Sequence, residues 1–91
     1  MRRQQRITVE LAVQILREAM RLLGQQKADA VPVRLALRCL WPHCPERWPL
    51  VTFCEAVGQP SEIGRSQGVT AGFNAIVRQL RRSGAYRDTG A

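Results

Sequence analysis

Apolar residues return at spacings of three and four in four stretches of this 91-residue chain. In the first stretch, Val9, Ala12, Val13, Leu16, Ala19, Met20 and Leu23 share one face, which predicts a helix from Thr8 to Gly24. Thr8 is placed to cap its N-terminus, Glu10 falls in the first turn, and Gly24 is placed to end it. Leu11, Ile15 and Leu22 add a second apolar stripe. A helix with two stripes must cover both, with a later helix of the domain or with a twin subunit, and a homodimer is expected.

After the polar break GQQKADAV, Pro32 suits a first helical turn and predicts a helix over Val33 to Leu40, with Val33, Leu37 and Leu40 inward. Arg34 and Arg38 lie four apart on another face. The segment WPHCPERWP holds three prolines in nine residues and is not regular helix. Trp41 and Trp48 flank this corner and are expected to pin it to the core, the alternative being an exposed Trp that anchors a partner. Pro49 opens a short helix from Leu50 to Val57, whose core stripe is Leu50, Phe53, Cys54 and Val57. GQPSEIGRSQG, residues 58–68, reads as a loop of eleven residues with three glycines, with room for one helical turn begun by Ser61. A last helix runs from Val69 to Arg82, with Val69, Phe73, Ile76, Val77 and Leu80 inward, and Gly84 ends it. The pattern predicts an all-α fold: a flexible basic arm at 1–6, one small four-helix domain at 7–86, and a short tail at 87–91.

Charge changes this picture. Fourteen cations against seven acids give a formal net charge of +7, and all the cations but Lys27 are Arg. Arg presents a planar fork of donors that fits phosphate and guanine edges. The excess points to partners: nucleic acid, an acidic protein surface or anionic lipid. No apolar run reaches membrane-spanning length, and MRRQQRITVELAVQILREAM lacks the uninterrupted apolar stretch of a secretory signal. Three cysteines cannot close a disulfide framework, so a cytoplasmic chain with reduced thiols is expected.

Part of the excess charge lies in the last helix and the segment before it. From Ile63 to Tyr86 there are four Arg and no Asp or Glu. Thr70, Asn74 and Arg78 are spaced by four and stack along one face. Asn pairs with adenine and Arg with guanine, while Thr suits a thymine methyl or a phosphate. Arg65, Gln67, Arg81 and Arg82 extend the candidate surface, and Arg2, Arg3 and Arg6 of the arm suit phosphates or a minor groove. The order of a short helix, a turn and a basic helix is that of a helix-turn-helix with an enlarged turn. VTAGFNAIVRQLRRSGAY resembles the recognition helix of helix-turn-helix and winged-helix DNA-binding proteins, which commonly ends in a basic stretch and a Gly. Seven residues after Gly84 leave no room for a two-stranded wing, so the resemblance implies the docking helix alone. It implies a small regulator or accessory factor that binds nucleic acid, DNA rather than RNA.

A second expectation is a helical protein-interaction module, an adaptor or inhibitor docking on an acidic partner surface. The two-striped first helix and the Trp-Pro corner motivate it. Cys39, His43, Cys44 and Cys54 supply four soft ligands, but their spacing departs from the paired units of common zinc folds, and buried cysteine is ordinary core material. Neither a metal nor a cofactor is expected. No phosphate loop, carboxylate pair or Ser-His-acid set points to an enzyme.

Overall fold

The computed structural model describes residues 7–22 and 30–87. Four helices run through them: α1 at Val9–Arg21, α2 at Ala30–Leu40, α3 at Trp48–Val57 and α4 at Glu62–Ser83. A 3-10 turn spans Trp41–His43, and there is no strand among the described residues. The protein is a small all-α fold. Arg2, Arg3 and Arg6, the Gly24 cap and residues 88–91 of the tail lie outside the described residues.

Local chemistry accounts for most of the helix ends. The Thr8 hydroxyl accepts from the Leu11 amide at 3.1 Å, closing the start of α1, with Glu10 in its first turn. Pro32 is the third residue of α2, inside the first turn, where a missing N–H costs no helical hydrogen bond. Pro49 occupies the second position of α3 for the same reason. At the far end of α4, Gly84 adopts φ 81°, a left-handed conformation favourable to glycine. Its amide donates to the Arg81 carbonyl at 3.1 Å, and that of Ala85 donates to Leu80 at 3.0 Å, the paired bonds of a Schellman ending.

Residues 58–68 are not the loop that their glycines suggest. α4 begins at Glu62, capped by Ser61, whose hydroxyl accepts from the Gly64 amide at 3.3 Å. The α3–α4 connection is therefore only residues 58–61. The glycines serve a tertiary purpose. A Cβ on Gly68 would lie 2.7 Å from the Cβ of Ala56. One on Gly72 would lie 3.0 Å from the Pro49 carbonyl oxygen and 3.1 Å from the Cβ of Phe53. Advancing along α4 from 68 to 72 thus means retreating along α3 from 56 to 49, so the two helices pack antiparallel with their backbones close together.

The helices form a ring: α1 packs on α2, α2 on α3, α3 on α4, and α4 back on α1, while the diagonal pairs scarcely touch. Leu16, Leu40, Phe53, Ile76 and Leu80 are fully buried at its centre. Val13, Val33, Leu37, Leu50 and Val69 complete a core that matches the stripes read from the sequence. Burial of one such side chain contributes about 1.5–3 kcal/mol.

The Pro-rich corner is held differently from expectation. Trp41 and Trp48 are 42% and 54% exposed and do not pin it. Cys44 and Pro49 are buried, and Gln79 of α4 clamps the backbone of Glu46 from both sides. The Gln79 side-chain nitrogen donates to the Glu46 carbonyl at 3.2 Å, and its oxygen accepts from the Glu46 amide at 3.3 Å. A primary amide matches a peptide group in this way because it carries one donor and one acceptor side by side. Gln79→Ala is expected to lower the unfolding free energy by about 1–3 kcal/mol, measured by urea denaturation. Gln79→Glu, which loses the donor but keeps the shape, should lose a comparable amount.

Candidate nucleic-acid interface

At about 1.5 Å per residue, the 22 residues of α4 span about 33 Å. Its inner face is the apolar set from Val69 to Leu80. Its outer face carries Gln67, Thr70, Asn74, Arg78 and Arg81 at spacings of three and four, with Arg82 one turn beyond Arg78, and all six are exposed. Ile63, 71% exposed, opens the same stripe. The stripe is therefore apolar at its start, neutral polar in the middle and cationic over its last two turns. The end is also where a helix's own dipole favours positive charge.

Arg78 and Arg82 form no ion pair among the described residues, where the pair of note is Arg21 with Glu18 on α1. The stripe carries no carboxylate of its own from Ile63 onward. Arg17 of α1, which the sequence pattern does not link to this surface, lies over the Phe73 ring with its guanidinium carbon 5.8 Å from the centroid. Its place beside α4 follows from the α1/α4 contact, a long-range feature that no local spacing reports.

Arg65 does not join the stripe. It is half-buried, and its Nη1 donates to the Gln59 carbonyl at 2.7 Å, bracing the turn before α4. A loop over 58–68 would fix no direction for this side chain. With α4 extended to Glu62, Arg65 falls on the side away from Thr70 and Asn74.

The remaining candidate chemistry disperses. Among the described residues no group of three His, Cys, Asp or Glu is arranged to hold a metal ion, so Cys39, His43, Cys44 and Cys54 do not converge. The Cys39 thiol donates to the Ile7 carbonyl at 3.0 Å, and Cys44 is core. Burial pushes both thiols above the ordinary cysteine value, which disfavours the reactive thiolate. Cys54, expected inward, is half-buried beside α2.

The second stripe of α1 is partly absorbed by the fold. Ile15 packs against the core and Leu22 is half-buried, leaving Leu11 at 37% exposure. No helix among the described residues is long and apolar enough to cross a membrane. Comparison with known protein families, with curated proteins and with solved structures gives no match to this chain.

Proposed function

We propose that the protein binds duplex nucleic acid, DNA in preference to RNA, by laying the outer face of α4 in the major groove, and that it acts as a regulator or accessory factor. The observation that carries this is the exposed stripe Gln67, Thr70, Asn74, Arg78, Arg82, with no carboxylate on it and no ion pair at Arg78 or Arg82 among the described residues. A helix with its side chains is about 10–12 Å across and a B-form major groove is about 12 Å wide, whereas the A-form major groove of RNA is too narrow to be read this way. Asn74 is placed for an adenine edge, Arg78 for a guanine edge, and Thr70 for a thymine methyl or a phosphate. Arg81 and Arg82 at one end, and Arg17 at the side, take phosphates. The arm residues Arg2, Arg3 and Arg6 add charge at the N-terminus.

Fluorescence anisotropy with a mixed-sequence duplex across a salt series tests it. The logarithm of the binding constant should fall linearly with the logarithm of salt, by about 0.9 for each phosphate neutralised. Arg78→Ala should flatten preference among sequences, by roughly 5- to 150-fold at the base it reads. Absence of binding to any duplex at low salt rules the proposal out. Sedimentation velocity on the complex tells whether the bound unit is one copy or a homodimer paired through α1, whose exposed apolar contribution is Leu11.

A further inference from the structure

The seam between α2 and α3 holds a groove of about 860 Å³. Buried Leu37 and Leu50 form part of its floor. Leu35, Trp41 and Val51 line it while 48%, 42% and 45% exposed. The fold thus leaves a run of large apolar side chains in water on one face, opposite in the ring to the α1/α4 seam. Trp is also among the residue types enriched at interface hot spots.

The rim is charged, and mainly positive. Arg34 and Arg38 stand one helical turn apart along the α2 side, and neither forms an ion pair among the described residues. Arg47 lies over the ring of Trp41, one of the lining residues, 4.2 Å from its centroid. Glu55 is the one acid on the lining, on the α3 side.

We propose that this groove docks a single amphipathic α-helix of an acidic partner protein. Apolar side chains at i, i+3 or i+4, and i+7 would seat on Leu35, Trp41 and Val51, and a flank of carboxylates one turn apart would meet Arg34 and Arg38. Charge selects this occupant. A second copy seated groove to groove brings four rim arginines together with two copies of Glu55, on chains that each carry +7. The chain's own arm, MRRQQR, has the sign of the rim. A nucleic acid offers phosphates to a floor made of Leu37, Leu50 and Cys54, whose one donor is a weak thiol. The inference stands apart from the α4 proposal, because it concerns other residues and another partner.

Two synthetic helical peptides of about five turns test it, with identical Leu and Phe anchors and with either Glu or Lys along the flank. The Glu-flanked peptide should bind the full chain at least tenfold tighter than the Lys-flanked one. It should also slow alkylation of Cys54, which lines the groove, as followed by peptide mass spectrometry. The Arg34→Glu/Arg38→Glu variant, whose sites are exposed, should keep its helical circular dichroism and reverse the preference to the Lys-flanked peptide. Leu35→Asp should weaken both peptides at least tenfold. Equal affinity for the two peptides, or a preference that survives the charge reversal, overturns the proposal. So does protection of Cys54 by a DNA duplex, or by self-association that Leu35→Asp abolishes, in place of the peptide.

Discussion

Gly72→Leu is expected to cost about 3 kcal/mol or more of stability, a third or more of what a chain of this length usually has. The side chain would start 3.0 Å from the Pro49 carbonyl oxygen and 3.1 Å from the backbone nitrogen and the Cβ of Phe53. Two of those atoms are α3 backbone, so no rotamer change relieves the clash. The helices must separate, and Phe53, fully buried, loses its packing. The neighbouring glycines give the contrast that makes the effect specific. Gly68→Ala gains helix propensity of up to about 1 kcal/mol. It also sets a methyl 2.7 Å from that of Ala56, and overpacking of about 1–3 kcal/mol outweighs the gain. Gly64→Ala meets only Ser61, at 3.7 Å, so there the propensity gain should stand and the protein should be stabilised. Urea denaturation of the three variants checks the order. Ala56→Gly added to Gly68→Ala should recover part of the loss in a double-mutant cycle. Destabilisation by Gly64→Ala equal to that by Gly68→Ala would show that the backbone approach between α3 and α4 is not the cause.

Reversing charge at the end of α4 is expected to have the largest effect on binding. Arg78→Glu/Arg82→Glu removes two exposed cations from the outer stripe and puts two anions where the proposal sets a polyanion. Charge-assisted hydrogen bonds of this kind are worth about tenfold each, so affinity for a duplex should fall roughly a hundredfold or more near 0.1 M salt. The salt slope should shrink by about 1.8, twice the contribution of one phosphate contact. Both sites face away from the core, so the urea midpoint should scarcely move. Arg65→Gln supplies the comparison: its guanidinium is spent on the Gln59 carbonyl, so it should shift stability slightly and leave the salt slope unchanged. If the double reversal and Arg65→Gln alter the slope alike, the outer stripe of α4 is not where the nucleic acid lies.

Much of the fold was legible because helical burial is periodic. The inward faces of α1, α2 and α4 follow from spacings of three and four, and Thr8 and Gly84 cap where their side chains and backbone freedom suggest. The start of α4 was not legible. Gly64 and Gly68 carry a local preference against helix, and Ala56, which makes a glycine necessary at 68, lies twelve residues away in sequence. Extending α4 to Glu62 also turned Arg65 aside and brought Gln67 fully onto the outer face. The Trp-Pro corner shows the same thing in reverse. Size and hydrophobicity argue for tryptophan as the pin, yet a buried glutamine holds the corner because Glu46 needs both a donor and an acceptor at once.

The sequence by itself determined the class of fold, the apolar inward faces of α1, α2 and α4, and the acid-free run that gives α4 its cationic end. All of these depend on neighbours within one or two turns, and spacing reports them. Only the tertiary structure decided how close α3 and α4 approach, that Arg17 stands beside α4, that Gln79 is buried, and that the α2/α3 seam stays open with Leu35, Trp41 and Val51 in water. Those outcomes depend on which surfaces meet across the ring, and a period along one helix is silent about what lies opposite it.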